Sequence, residues 1–448
     1  MNKVIVITNE LNYEEKSYIF SFLFSDYFQI PYKIKIEKHC ETYNFIFSDK
    51  KLIFKDEFFR YFAEPLSYLS EKNIPTNLER ISFNDVVKDI PVIYGDNKIL
   101  TSTDEIYCGL DIVASCFFLL TRWEEYVIAN RYKDNRPVES SLLSIKNSFY
   151  DQPVVNEYLK LVESFFQILK IPYFIPERKF SIKLSHDVDW LYLSSQNQLW
   201  KNISKRIFIK KQTLHSLKII YRYYYYRLSR INPFDPFDEL LEIGNKFNLN
   251  LAFYFKAVEE GEKGFTYSIK HNRVSNIIQK ISKAGFEIGF HPSENTVNND
   301  NQFEIEANRL KEIAGSNIKG GRNHGLYYFK DTFNQWEKND FSYDAGLGFQ
   351  FVNGFRCGIC HDFYIFDIYN RKKLNLKEIP FVAMDTTVLR NKLQPHELFS
   401  DVVRIIQTVK RFNGNVTFNW HSNLINTIDL KKYKEVYIRI LNYIGGLK

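Results

Sequence analysis

The chain has 448 residues, of which 45% are hydrophobic and 25% are charged, and it contains 18 glycines and 13 prolines. This composition excludes collagen-like, low-complexity and wholly disordered proteins, and the length predicts two or three folded domains. The net charge of +7 favours anionic partners, but it is too small to require nucleic acid, and none is expected.

Residues 1–175 predict an N-terminal domain of their own, with an α/β or α+β fold. An apolar strand at residues 4–7 is followed by a helical pattern over residues 13–24 and an alternating strand over residues 32–36. Residues 111–126 predict a largely buried helix that ends in a charged turn. Pro172 and Pro176 disfavour helix, so we place the domain boundary between them.

The sequence predicts neither export nor membrane insertion. The longest apolar runs, such as residues 112–120, fall short of the ~20 residues that span a bilayer. Only a short apolar run, residues 4–7, precedes polar and acidic residues at the amino terminus, which differs from a secretory signal. The five cysteines are too scattered for a disulfide framework. We therefore expect a cytoplasmic protein without a transmembrane helix.

From residue 176 to residue 448, short apolar strands alternate with helical stretches, which is typical of βαβ units around a parallel sheet. The predicted strands are residues 180–184, 251–255, 286–290, 318–320, 363–368, 378–382 and 415–419. About seven strands of this kind predict an α/β barrel, in which side chains at the carboxyl ends of the strands meet at one mouth.

A basic, Tyr-rich insertion at about residues 200–231 interrupts this alternation. Its basic residues are Lys201, Lys205, Arg206, Lys210, Lys211, Lys218, Arg222, Arg227 and Arg230, and no acidic residue lies between residues 201 and 234. The insertion could bind an anionic membrane surface or a lipid-linked glycan. The alternative is a solvated helical face, which the irregular spacing of its apolar residues favours.

Polar residues follow four of the predicted strands. They are His186, Asp187 and Asp189 after the first strand, His291 and Ser293 after the third, Arg322 and His324 after the fourth, and His421 after the last. A carboxylate and an imidazole can bind Zn²⁺, which would polarise an amide carbonyl. A second carboxylate could accept a proton from water, and a second imidazole could protonate the leaving amine. Helix capping by the two aspartates and ordinary structural hydrogen bonds are the alternatives.

Four segments resemble, in order, the motifs of the polysaccharide deacetylase family, also called the NodB homology domain or carbohydrate esterase family four. They are residues 184–189 (LSHDVD), 285–293 (GFEIGFHPS), 321–324 (GRNH) and 418–421 (FNWH). The resemblance covers residues 178–448 and implies a distorted (β/α)7 barrel. The N-terminal part resembles an uncharacterised domain that accompanies such barrels in bacteria.

The resemblance implies a role for five residues. They are Asp187 as catalytic base, Asp189 and His291 as metal ligands, Arg322 as the residue that orients the base, and His421 as general acid. Where the family usually has a second histidine ligand, this sequence has Asn295. A third ligand would then have to come from His186, His324 or His361, since catalytic zinc sites normally have three protein ligands.

Two more candidate site residues lie outside these motifs. Arg356 could bind a substrate anion or pair with Asp344, and the pairing is the simpler reading. His361 ends the run Cys357-Gly358-Ile359-Cys360-His361, which matches a c-type haem attachment signature. Because such haem attachment belongs to exported proteins, we reject haem and keep His361 as a candidate site residue.

Together these features predict a hydrolase that uses a divalent metal, most suitably zinc, to remove an acetyl group from an N- or O-acetylated sugar or glycan. One alternative is a catalytically degenerate barrel that binds glycan or acts as a scaffold, which Asn295 suggests. Another is a membrane-peripheral protein that binds an anionic surface through the basic insertion.

Overall fold

The computed structural model describes residues 3–128, 138–173, 176–192, 199–200, 203–204, 213–328, 331–391 and 393–447. The chain divides into two compact units. The first unit is formed by Met1–Ser181, Leu326–Ala383 and Arg404–Thr417, and the second by Ile182–Gly325, Met384–Val403 and Phe418–Lys448. The domain boundary that the sequence predicts near residue 175 stays a prediction.

The secondary structure is mixed throughout. In chain order the strands are β1 Val4–Thr8, β2 Tyr32–Ile36, β3 Thr42–Phe47, β4 Lys50–Lys55, β5 Glu79–Phe83, β6 Val87–Val92, β7 Gly95–Thr101, β8 Glu105–Leu110, β9 Ser181–Val188, β10 Asn250–Phe255, β11 Glu287–Phe290, β12 Gly320–Gly321, β13 Tyr343–Asp344, β14 Phe363–Asp367, β15 Lys372–Glu378, β16 Phe381–Met384 and β17 Asn415–Asn419. The α-helices are Tyr13–Phe20, Ile112–Thr121, Trp123–Ile128, Leu143–Lys146, Val154–Ile168, Thr213–Ser229, Phe237–Lys246, Asn272–Lys283, Asp300–Ala314, Thr332–Lys338, Asp385–Asn391, Pro395–Arg411, Ser422–Ile425 and Lys431–Gly445. None of these helices is long and apolar enough to cross a membrane.

The first unit contains a six-stranded mixed sheet in the order β2-β1-β3-β4-β8-β7. β1 pairs with β2 in parallel and with β3 in antiparallel orientation.

The helix predicted over residues 111–126 is two helices. Asp111 caps the first by accepting a hydrogen bond from the Ala114 backbone N–H at 2.8 Å, and Arg122 ends it in a left-handed conformation with φ 54°.

The predicted strand over residues 378–382 is wrong. β15 ends at Glu378 and β16 begins at Phe381, with Pro380 between them. A proline has no backbone N–H to donate to a neighbouring strand, so it separates two strands here instead of lying inside one.

The second unit contains the predicted parallel arrangement. β9, β10, β11 and β12 are neighbours in that order. Amphipathic helices connect these strands; Asn272–Lys283, for example, buries Val274, Ile277, Ile278 and Ile281 on one face. The α/β class predicted from the sequence is therefore confirmed.

The four parallel strands end almost level with one another. Val188 of β9 is paired with Phe255 of β10, which is paired with Phe290 of β11, which is paired with Gly321 of β12. Gly321 permits this close approach, because a Cβ atom there would lie 1.8 Å from the Phe290 carbonyl oxygen. The residues that follow this row therefore emerge at one edge of the sheet.

Candidate metal-binding and catalytic site

The candidate site consists of side chains at the strand ends of the second unit. Asp189, Lys256, His291 and Arg322 each follow directly after the level row of paired residues. The buried Tyr267 side chain holds two of these strand ends together, since its hydroxyl donates to the Val188 carbonyl at 2.8 Å and accepts from the Lys256 backbone N–H at 2.9 Å. The sheet thus fixes the backbone positions from which the four side chains start.

Asp189, His291 and His324 form a cluster that could hold a metal ion, and their ligand atoms all lie within 4.8 Å of one another. Asp189 Oδ1 is 3.4 Å from His291 Nε2 and 3.7 Å from His324 Nε2. His291 donates from Nδ1 to the Arg322 carbonyl at 2.6 Å, and its other ring nitrogen, Nε2, faces the carboxylate. Within the described residues, His291 Nε2 has no hydrogen-bond partner, and Asp189 Oδ1 is contacted by the Lys256 ammonium at 3.1 Å.

This donor set fits a divalent ion. His291 Nε2 faces Asp189 Oδ1 at 3.4 Å without a hydrogen bond between them, and a divalent ion could take both atoms as ligands. Burial lowers the pKa of His324 to about 4, so this ring is neutral near pH 7, the form that binds metals. One carboxylate and two imidazoles are a ligand set found at catalytic zinc sites.

Asp187 lies beside this cluster and is held by two hydrogen bonds. Arg322 Nη1 donates to its Oδ1 at 2.9 Å, and Asn419 Nδ2 donates to its Oδ2 at 3.2 Å. Burial by itself would raise the pKa of Asp187, but the Arg322 guanidinium and the neighbouring imidazoles together outweigh burial, and the pKa is lowered. The carboxylate is therefore ionised at neutral pH.

His421 forms a hydrogen-bonded pair with the buried Asp385. Its Nδ1 lies 2.7 Å from Asp385 Oδ1, and its backbone N–H donates to Asp385 Oδ2 at 2.7 Å. Burial lowers the pKa of His421, but the charge and hydrogen bond of Asp385 more than compensate and raise it to about 9. The other ring nitrogen, Nε2, is 3.9 Å from Asp187 Oδ2 and 3.9 Å from Asp189 Oδ2.

Sequence reasoning missed Asp385 and Lys256, although each is a polar residue directly after a strand, which is the criterion that identified the other site residues. Asp385 directly follows β16, and Lys256 directly follows β10. Lys256 is only 4% exposed, and its Nζ is 3.1 Å from Asp189 Oδ1. A buried ammonium thus contacts the same oxygen that faces the two imidazoles.

Three of the predicted residues are in the second unit but have other partners. His186 donates from Nδ1 to the Trp420 carbonyl at 2.7 Å and stacks on Phe253, as a structural histidine does. Ser293 donates to Glu306 Oε1 at 2.5 Å and so fixes the loop after His291. Asn295 donates to the Lys263 carbonyl at 2.7 Å and does not join the cluster.

Arg356 and His361 lie in the first unit, where each has a partner of its own. Arg356 forms a bidentate ion pair with Glu125, with N···O distances of 2.9 and 2.7 Å. The expected pairing with Asp344 is therefore wrong. His361 Nδ1 accepts a hydrogen bond from Asn156 Nδ2 at 2.7 Å. Of the three histidines considered as a third ligand, His324 is the one that joins Asp189 and His291.

The basic insertion is described in part. Lys201, Lys205, Arg206, Lys210 and Lys211 lie outside the described residues. The remaining basic residues are on or next to the helix Thr213–Ser229, where Arg222 pairs with Asp429.

Comparisons with known proteins give a family match for the N-terminal part and weak structural likenesses over about 60% of the chain. No curated protein matches the chain. A candidate polysaccharide deacetylase from Mycobacterium smegmatis is 16% identical, with a TM-score of 0.38, and the alignment covers 60% of this chain and 87% of that one. A candidate polysaccharide deacetylase involved in O-antigen biosynthesis from Bordetella bronchiseptica is 11% identical, with a TM-score of 0.32 and coverages of 59% and 81%. Residues 4–172 match the model of a family of unknown function, DUF7033, which confirms the expected uncharacterised N-terminal domain.

Proposed function

We propose that the second unit is a metal-dependent hydrolase that removes an acetyl group from an N- or O-acetylated sugar of a glycan. The observation that carries the proposal is the Asp189–His291–His324 cluster, which lies beside an ionised carboxylate and a protonated imidazole. The pKa of Asp187 is lowered and that of His421 is raised to about 9. Two neighbouring groups with pKa values shifted in opposite directions suit a base and an acid.

In this reaction Asp187 accepts a proton from water as the water oxygen forms a bond to the acyl carbon. The bond from that carbon to the sugar nitrogen or oxygen breaks, and His421 donates its Nε2 proton to the leaving atom. Acetate and the free amine or hydroxyl are the products. A divalent ion, when bound by Asp189, His291 and His324, supplies polarisation of the acyl carbonyl and lowers the pKa of the attacking water.

Glycan is proposed as the substrate class because the four motifs resemble those of polysaccharide deacetylases. The test is acetate release by the full-length protein from N-acetylated chito-oligosaccharides and O-acetylated xylan, before and after treatment with a chelator. We expect release that the chelator abolishes and added Zn²⁺ restores. Stoichiometric zinc without acetate release from any of these substrates would contradict the proposal, and tight glycan binding in that case would favour the non-catalytic alternative.

Asp385 is proposed as the residue that keeps His421 protonated and oriented. In Asp385→Asn we expect kcat to fall by about 10²- to 10⁴-fold, because an amide does not stabilise the imidazolium and can hold the wrong tautomer. Removing the carboxylate charge also lowers the pKa of His421 from about 9. The alkaline limb of the pH–kcat profile should therefore move to lower pH.

Asp385→Glu is the matched control, since it keeps the negative charge and should leave the alkaline limb close to that of the unchanged protein. An Asp385→Asn variant whose alkaline limb does not move would show that Asp385 acts only through the fold.

A second candidate function is binding to an anionic membrane surface, which the helix Thr213–Ser229 favours. Its face that includes Leu217 and Leu228 is apolar and open to solvent, with these side chains 61% and 81% exposed. Tyr221 and Tyr225 lie on the same face, because the spacing of three or four residues returns to one side of a helix.

The charge on this helix also favours binding to an anionic membrane surface. Lys218 and Arg227 are exposed, and the helix Thr213–Ser229 contains no acidic residue. The opposite face is buried through Tyr223 and Tyr226, so the helix is anchored while its apolar, basic face stays accessible.

Replacing Leu228 with Asp should weaken binding to phosphatidylserine-containing vesicles by about tenfold or more, because an apolar anchor is lost and a negative charge is added. Leu100→Asp, at an exposed apolar site of the first unit, is the matched control and should leave binding unchanged. Co-sedimentation with vesicles measures the effect. Equal binding to uncharged vesicles, or binding that added salt does not weaken, would contradict this function.

A further inference from the structure

Lys256 is the residue of the candidate site that the proposed reaction does not use. It follows β10, the strand that lies between β9 with Asp189 and β11 with His291. Its Nζ is 3.1 Å from Asp189 Oδ1, whereas the two imidazole Nε2 atoms are 3.4 and 3.7 Å from the same oxygen. The ammonium therefore contacts the same carboxylate oxygen that both imidazole Nε2 atoms face.

The permanent charges of the site are already balanced in pairs. The Arg322 guanidinium is 2.9 Å from Asp187, and the Lys256 ammonium is 3.1 Å from Asp189. A divalent ion bound to Asp189 would bring two further positive charges next to a buried ammonium. Like charges at such short range repel strongly where water is largely excluded.

The two parts of Lys256 differ in their freedom. Its backbone N–H is tied to the buried Tyr267 hydroxyl at 2.9 Å, so the strand end stays in place. The side chain ends in a compact ammonium on a flexible four-carbon stem, and within the described residues Asp189 is its ion-pair partner. A change in its position therefore requires rotation of the side chain and no movement of the sheet.

We propose that the Lys256 ammonium and a divalent metal ion compete for Asp189, so that Lys256 sets the metal affinity of the Asp189–His291–His324 cluster. The inference rests on the metal site of the proposed function. Lys256 is the resident cation of the site, and an incoming ion displaces its ammonium from Asp189. A lysine that merely oriented Asp189 for the metal would have the opposite effect, because its removal would weaken metal binding.

The test is titration of the full-length protein with Zn²⁺ by calorimetry, and with Co²⁺ by visible absorption. Lys256→Met removes the charge and keeps an unbranched side chain, and we expect it to bind Zn²⁺ at least about tenfold more tightly. Lys256→Gln is a second charge-removing variant in case the methionine variant does not fold. Lys256→Arg keeps the positive charge at this position, and Lys270→Met removes a positive charge at an exposed position. Both variants should bind Zn²⁺ with the affinity of the unchanged protein.

Two results would overturn the inference, and they can be told apart. Zinc binding by the unchanged protein with equal or weaker binding by Lys256→Met and Lys256→Gln would refute the competition and leave the proposed metal site intact. No zinc binding by any folded variant would refute both the competition and the metal site. Asp189→Asn should abolish binding in every background, which checks that the titrated ion occupies this cluster.

Discussion

Replacing Asp187 with Asn is expected to lower kcat for acetate release by about 10²- to 10⁴-fold while zinc still binds. The amide has the shape of the carboxylate but cannot accept a proton from water. Asp187 is not among the three residues of the metal cluster, so the affinity for Zn²⁺ should change little. Acetate release and zinc titration on the same preparation separate the two effects.

The substitution also has a cost in stability. Arg322 is 1% exposed and donates to Asp187 at 2.9 Å, so the variant leaves a buried guanidinium facing a neutral amide. Breaking a buried ion pair in this way typically lowers the free energy of unfolding by about 3 to 5 kcal/mol. Urea unfolding should therefore accompany the activity measurements, which need to be made well below the unfolding midpoint.

Asn419→Ala is the matched control for Asp187→Asn. It removes the hydrogen bond of 3.2 Å from Asn419 Nδ2 but leaves the carboxylate and its pairing with Arg322. We expect kcat to fall by about tenfold, which corresponds to about 1.5 kcal/mol, the lower end of the range for one hydrogen bond to a charged group. A folded, zinc-loaded Asp187→Asn enzyme that kept a tenth or more of the activity would exclude Asp187 as the base.

The sequence predicted the framework of the second unit because buried parallel strands are apolar runs of limited length. β9, β10 and β11 lie within a few residues of the predicted positions. The meeting of Asp187, Asp189, His291, Arg322 and His421 at one edge then follows from the parallel orientation of the strands. The predicted end of β9 at residue 184 was wrong, because the strand continues to Val188 and contains His186 and Asp187. The parallel arrangement still brings Asp187 to the same edge as the other residues.

Sequence reasoning missed two site residues because the spacing of apolar residues reveals neither exact strand ends nor distances between side chains. Asp385 was overlooked because the last-but-one strand was predicted across Pro380, so its true end at Met384 was not recognised. Lys256 does follow a correctly predicted strand. Its residue type is neither a metal ligand nor a common catalytic acid, and its role depends on the Nζ to Asp189 distance of 3.1 Å, which only coordinates provide.

The third ligand was left open for a similar reason. The spacing of the resembled motif places the usual second histidine ligand at the position of Asn295. The direction of a side chain in a loop, however, depends on the backbone angles around it. His324 begins a short turn in which Gly325 has φ 66°, a conformation that favours glycine. That turn holds the imidazole beside His291, with ring centroids 5.3 Å apart.

Replacing His324 with Ala should lower the zinc affinity by at least about 100-fold, whereas Asn295→Ala should leave it nearly unchanged. Loss of a residue that only supports a ligand already costs 10- to 100-fold in metal affinity, so loss of a ligand should cost more. Asn295 instead donates to the Lys263 carbonyl at 2.7 Å in a partly exposed loop. Zinc titration by calorimetry measures both variants, and His396→Ala, at an exposed histidine, controls for loss of an imidazole.

The paired variants also distinguish two ways in which the chain could retain a metal without the second histidine of the resembled motif. If His324 replaces that histidine, His324→Ala loses both zinc and acetate release, and Asn295→Ala loses neither. If the amide oxygen of Asn295 turned towards the ion instead, the pattern would be reversed. The first pattern is expected, because the neutral His324 ring is already 3.7 Å from Asp189 Oδ1, whereas the Asn295 amide would first have to break its hydrogen bond to Lys263.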